Sequence, residues 1–437
     1  MSSIETLPRQ HPLRDSLYAE LHARPYPVLQ APMQVVHLGI LLTTDEKDAE
    51  WQHLQQLCRD YGVNPPSDGA TSYQQSFAEF ELRWERHLEF VTYTFYRPST
   101  QAHLPFKYSP LDFLAPAWLA KLPGQMVVAL KLEVHAKNQP WDRQDLSICF
   151  EGQRLISAQL MEGQATLWSA FRLQGDNFER ILLYIDKLNP NQTGRLVQRV
   201  LELETYRLMA LLGLNPARTL APELARMDAD LAKMIAQIPI LENLDQEREL
   251  LQSLSQLAAQ VEAHRGETNS RFRATQAYYH LVLQRLKELR EANTGQRIHL
   301  GTFIERRLTP AYHTCTSVTQ GLEDLARRIE RASDLLRTRV DLTIEAQNQH
   351  LLASMNRRSR LQLRLQETVE GLSIAAISYY GVSLFKLILD AGYAAGLPIN
   401  KELITGISVP IILVGVWWIT HRIKHFIMRA SQDTPAP

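Results

Sequence analysis

The sequence is poor in cysteine: Cys58, Cys149 and Cys315 are the only three in 437 residues, and no two of them form a CxxC pair. This excludes a disulfide scaffold and the usual zinc-ribbon spacing, and it fits a reducing compartment. Net charge is also missing, because 47 Lys+Arg balance 47 Asp+Glu. A strongly basic nucleic-acid binder and an acidic disordered tail are therefore disfavoured. Residues 1–10 show no basic cluster followed by an apolar run, so no signal peptide is expected and any membrane insertion must come from elsewhere in the chain.

Catalytic signatures are absent as well. There is no GxxxxGK[ST], no GxGxxG after a strand, no HExxH and no GxSxG. The fourteen histidines are scattered. No nucleophile, base and orienting group form a nameable set, so neither an enzymatic activity nor a cofactor is expected. His11, His22 and His37 lie near one another in sequence, and they read either as a metal site or as structural histidines with satisfied hydrogen bonds. Tyr278, Tyr279, His280, Tyr312 and His313 read as packing residues on helices, and Asp228 and Asp230 as part of a solvated helix face.

What is present divides the chain by pattern into four parts. Residues 1–186 read as a cytoplasmic α/β domain. A helix is expected over 45–61, with Asp45 as its cap and Trp51, Leu54, Leu57 and Cys58 on one face. Strands are expected over 34–42, 77–83, 89–96, 126–135, 146–150, 155–161 and 165–173. Residues 178–185 read as a further strand or the start of a helix. The stretch 97–123, rich in Pro and aromatics, reads as a long surface excursion. Residues 187–370 read as a coiled-coil-like bundle and stalk, because apolar residues recur at 3–4 spacing from Leu224 to Leu289. Breaks are expected at 264–269 and 292–296. No proline occurs between Pro310 and Pro398, so one helix is expected from Ala311 to about Leu389, on the order of 100 Å long.

Residues 371–420 hold two apolar stretches, 371–389 and 403–420, each near the ~20 residues that cross a bilayer core. They read as two transmembrane helices joined by a short outer loop, and 421–437 as a basic cytoplasmic tail. Arg357, Arg358, Arg360 and Arg364 precede the first stretch; Arg422 and Lys424 follow the second. Cationic flanks place both termini in the cytoplasm, with Trp417 and Trp418 as anchors at the inner interface. Lys386 pairs with Asp390 one turn away or snorkels to the outer interface.

The chain resembles an uncharacterised bacterial family of membrane-anchored proteins in three segments. These are His11-Pro12-Leu13-Arg14 with Glu20-Leu21-His22-Ala23-Arg24-Pro25, Gly194-Arg195-Leu196 with Glu204-Thr205-Tyr206-Arg207, and Gly371-Leu372-Ser373 with Ile377-Ser378-Tyr379-Tyr380. That resemblance implies an inner-membrane location. The overall build also resembles CorA-type divalent-cation channels, which implies a homo-oligomer around a pore and a divalent cation as partner. The Gly-Met-Asn selectivity motif of those channels is missing: the outer end of the first stretch reads Leu389-Asp390-Ala391-Gly392. Magnesium selectivity is therefore not carried over.

Stepping back from Asp390 at 3–4 spacing defines a face free of the four arginines. Ser373, Ala376, Tyr380, Ser383, Leu387 and Asp390 would line a path in a ring of such helices, and Leu352, Met355 and Val369 would constrict it. The same face also reads as a seam packed on the second span or on a protein partner. Two functions follow, an oligomeric cation channel or a membrane-anchored scaffold or regulator.

Overall fold

The computed structural model describes residues 11–14, 18, 26–99, 104–136, 143–292, 299–394 and 400–432. The chain divides into two compact units, one made of 1–240 with 250–333, the other of 241–249 with 334–437.

The first unit is built on a mixed sheet of eight strands. They are β1 (Met33–Leu41), β2 (Ser72–Ser76), β3 (Glu81–Arg86), β4 (Phe90–Pro98), β5 (Gln125–Ala136), β6 (Ile156–Leu160), β7 (Ala165–Leu173) and β8 (Glu179–Ile185). Their spatial order is β2-β3-β4-β1-β5-β8-β7-β6. All neighbours are antiparallel except β5 and β8. Strand β1 lies inside the sheet, and its near-continuous apolar sequence suits burial on both faces. Val36, Leu38 and Ile40 point to one side, where helix α1 (Glu46–Asp60) supplies Leu54, Leu57 and Cys58. Val35 points to the other, where helix α4 (Pro190–Leu211) supplies Leu196, Val197 and Val200.

Local chemistry corrects several expectations. Asp45 makes no side-chain cap; Glu46 instead accepts hydrogen bonds from the Thr43 N–H and hydroxyl, both at 2.9 Å. Residues 77–80 form the turn between β2 and β3, where Phe77 and Phe80 stack in the core. Residues 146–150, expected as a strand, belong to helix α3 (Arg143–Cys149) and its end, because Leu146, Cys149 and Phe150 are the buried ones at helical spacing. Residues 178–185 resolve as strand β8. The excursion at 97–123 is partly internal: it holds the short helix α2 (Pro116–Ala120), and it buries Phe106, Leu114 and Trp118.

Helices α5 (Leu214–Gln237), α6 (Leu244–Glu288) and α7 (Leu300–Ala394) follow, then α8 (Lys401–Gln432). Helix α6 runs unbroken through 264–269, where Gly266 meets no neighbour. Helix α7 has 95 residues, starts before Pro310 and is about 140 Å long. Its first part carries a strict heptad stripe of buried residues: Leu308, Ala311, Cys315, Val318, Leu322, Leu325, Ile329, Ala332 and Leu336. In the first unit the stripe lies against α5 and α6. Tyr312 stacks on Tyr279 at 4.2 Å, and Arg328 pairs with Asp228.

Gly194 explains part of the motif at the start of α4. The chain at 27–29 crosses the helix here, with Leu29 N–H donating to Pro190 O at 3.1 Å. A Cβ on Gly194 would lie 1.6 Å from the Pro27 carbonyl oxygen. Gly194→Ala is expected to destabilise the protein by about 3 kcal/mol, because backbone must move to admit the methyl. Chemical denaturation of the solubilised protein checks this; an unchanged midpoint would contradict the crossing.

Candidate functional site: two opposite faces of the long helix

Beyond Leu336 the heptad stripe of α7 continues, but its chemistry changes. Next come Arg339 and Thr343, held by Glu247 at the start of α6: Arg339 Nε donates at 2.8 Å and the Thr343 hydroxyl at 3.3 Å. The stripe then turns exposed and polar through Ala346, His350, Ala353, Arg357, Arg360 and Arg364. It becomes a packing seam again at Ile374, Ser378, Gly381, Phe385 and Leu389, all buried or half-buried.

That last stretch faces α8. A Cβ on Gly381 would sit 3.1 Å from Ile412 Cγ2. On α8, Ile404, Thr405, Ser408, Ile412, Gly415, Val416 and Thr420 are the less exposed of the described residues, recurring mostly at 3–4 spacing. Small residues on both helices allow close approach, as in helix pairs that lack a hydrophobic driving force between them. Helices α7 and α8 are both long and apolar enough to cross a membrane. Only 6 % of the most apolar window of each is buried, so neither apolar stretch is a core segment within the described residues. The Arg422 guanidinium lies over Trp418 at 4.9 Å, and Trp417 stacks on His421 at 5.3 Å. The Lys424 side chain lies outside the described residues.

The face expected to line a path lies about half a turn away from the α8 seam. Asn348, Leu352, Met355, Ser359, Gln362, Gln366, Val369, Ser373, Ala376, Tyr380, Ser383 and Leu387 are all exposed, and Asp390 is half-buried. Within one chain this face is not the seam on the second apolar helix; that role belongs to Ile374, Ser378 and Gly381. The exposure extends to 344–369, well before the apolar stretch, where Leu352, Met355 and Val369 are each more than half exposed.

The sheet carries polar groups that the sequence reading did not assign. His37 is sealed between strand and helix, with Nδ1 2.8 Å from Thr94 Oγ1 and Nε2 2.9 Å from Thr205 Oγ1. The Thr205 hydroxyl donates to Leu201 O, so it accepts from Nε2–H, and Nδ1 accepts from Thr94. Burial pushes the imidazole down to about 3, and it stays neutral. His37 is thus structural, His11 accepts from Leu13 N–H, and His22 lies outside the described residues.

Glu179 of β8, Glu204 and Arg207 of α4 form a buried cluster in which Arg207 bridges both carboxyl groups. Burial first, and the adjacent Glu204 second, push the Glu179 carboxyl well above its usual range. A charged pair amid the apolar α4 sequence was the available signal. Elsewhere Glu50 accepts from Trp84 Nε1–H at 2.8 Å and from Tyr93, pinning α1 to the sheet. Burial raises the pKa of all three thiols, that of Cys149 to about 11, so none is a ready thiolate. Among the described residues no group of three or more His, Cys, Asp or Glu could hold a metal ion.

The eight-stranded sheet, the long helical segments and the two apolar C-terminal helices define an α+β protein with a membrane-length helical hairpin. The chain belongs to the family described as "Protein of unknown function (DUF3422)", whose pattern it matches over residues 9–427. No curated protein matches it.

The neutral His37 sets a pH dependence. Its folded pKa lies below the unfolded value near 6.5, so its contribution is complete above that value and is lost as pH falls toward 3. Between these limits wild type should lose about 1.4 kcal/mol per pH unit relative to His37→Gln, which keeps one donor and one acceptor. Parallel denaturation curves at every pH would contradict the sealed imidazole.

Proposed function

We propose that the protein is an integral protein of the bacterial inner membrane that assembles as a homo-oligomer around α7. In this reading 371–389 and 403–420 cross the bilayer, and both termini lie in the cytoplasm. Several copies of α7 turn their exposed face toward a common axis, with α8 outside against lipid. Ser373, Ala376, Tyr380, Ser383, Leu387 and Asp390 line a path for a cation, divalent ions included. Leu352, Met355 and Val369 narrow it on the cytoplasmic side, and the Asp390 carboxylates raise the cation concentration at the outer mouth. The role is non-enzymatic.

One observation carries the reading. One face of α7 stays exposed from Asn348 to Leu387, both inside and outside the apolar stretch, while from Ile374 onward the opposite face is packed on α8. Lipid can cover the apolar part, but outside it Leu352, Met355 and Val369 of this face meet water unless another chain covers them. A second copy offers the same face, as in a coiled coil.

A second reading is a membrane-anchored scaffold whose oligomer contains no path. It is supported by Tyr380, 72 % exposed, and by Leu387, 64 % exposed, which are large enough to fill a narrow axis. Lys386 on the flank of the same helix would also repel cations.

Single cysteines separate these readings from a monomer. The native cysteines are buried, so background is low. Cysteines at 376 and 383 should cross-link between chains in native membranes, whereas cysteines at 374 and 378, which face α8, should not. Absence of inter-chain links at every position of the span would overturn the assembly. Given links, Asp390→Asn should lower cation flux into liposomes severalfold; no flux in wild type would leave the scaffold.

A further inference from the structure

Where the buried stripe of α7 becomes polar it forms a shallow groove of about 350 Å³, lined by Ala353, Asn356, Arg357, Arg360, Leu361 and Arg364. The three arginines stand at 357, 360 and 364, one above another on a single helix face. Among the described residues none of them makes an ion pair or a side-chain hydrogen bond. Several arginines of the sheet unit are tied to carboxylates, as Arg83, Arg180, Arg199, Arg207, Arg271 and Arg285 are. Three aligned guanidinium groups that make no ion pair among the described residues, with Glu367 next on the stripe, offer paired donors to an anion with several oxygen acceptors.

Position selects the anion. Arg364 and Arg360 lie about 10 and 16 Å along the helix from Gly371, where the apolar stretch starts. An arginine that extends toward the bilayer from there reaches the headgroup layer. Arg357, about 21 Å away, contributes only through its field, which salt screens over about 8 Å. The groove also continues the stripe that packs on α8, so it opens beneath the foot of the helical hairpin. Arg422 on Trp418 adds a further cation at that foot.

We propose that Arg364 and Arg360, at the membrane-proximal end of the stripe, form a binding site for the phosphate of an anionic phospholipid in the cytoplasmic leaflet. The proposal rests on the membrane-spanning reading above and names a ligand for it. Guanidinium groups donate in pairs to phosphate oxygens, which fixes the depth and rotation of α7 at the membrane surface.

The test uses the full chain in nanodiscs of mixed phosphatidylglycerol and phosphatidylcholine, with retained lipid counted by native mass spectrometry. Wild type should retain phosphatidylglycerol in preference. Arg364→Gln should lower that preference about fivefold, Arg360→Gln by less, and Arg357→Gln least. Arg358→Gln removes the same charge off the stripe and should leave the preference unchanged. Equal retention of both lipids by wild type would overturn the site, as would equal loss in all four variants. Displacement of the lipid by inorganic phosphate alone would make a soluble phosphate the ligand and overturn the lipid assignment. The spanning reading is scored separately by carbonate extraction from native membranes: a released chain defeats it, while a retained chain without lipid preference defeats only the site.

Discussion

A helix of 95 residues cannot rest on its own hydrogen bonds alone; it needs cover along its length. Helix α7 finds that cover unevenly. From Leu308 to Leu336 one stripe is buried at strict heptad spacing. From about 344 to 369 every residue but Ser354 is exposed, apolar residues included. From Ile374 to Leu389 one side packs on α8 and the other is open. The functional proposal, the position of the arginine groove and the role of the small residues all follow from this sequence of covered and uncovered stretches.

The stripe changes its chemistry without changing its phase. Leu336 gives way to Arg339 and Thr343 clasped by Glu247, then to arginines that make no ion pair among the described residues, then to Gly381 against Ile412. One helical face thus serves successively as bundle core, polar clasp, arginine-lined groove and tight helix–helix seam. The opposite face keeps small, amide and apolar side chains as far as Leu387, Tyr380 excepted, with no arginine on it. That segregation is what a helix needs if one side is to meet partners of its own chain and the other a symmetric copy.

Much of this was legible in the sequence, because heptad spacing and apolar length are local signals. The proline-free run announced α7, and the apolar stretches at 371–389 and 403–420 fell inside α7 and α8. Short elements were less legible. Residues 146–150 alternate like a strand, yet the neighbouring sheet face takes Leu146, Cys149 and Phe150, which only a helix presents together. The polar run at 264–269 suggested a break, but an exposed helix surface tolerates Gly266 and Asn269 without one. The Glu179–Glu204–Arg207 cluster was readable only in part: Glu204 and Arg207 lie one turn apart on α4, but Glu179 lies 25 residues from Glu204 in β8 and meets them only in the fold.

The most direct test of the central claim is the mass of the detergent-solubilised full chain, with the detergent contribution subtracted. A helix whose free face is covered by copies of itself predicts a closed assembly of three or more chains, each near 50 kDa. A single monodisperse species of one chain's mass, in detergents that preserve the fold, would contradict it.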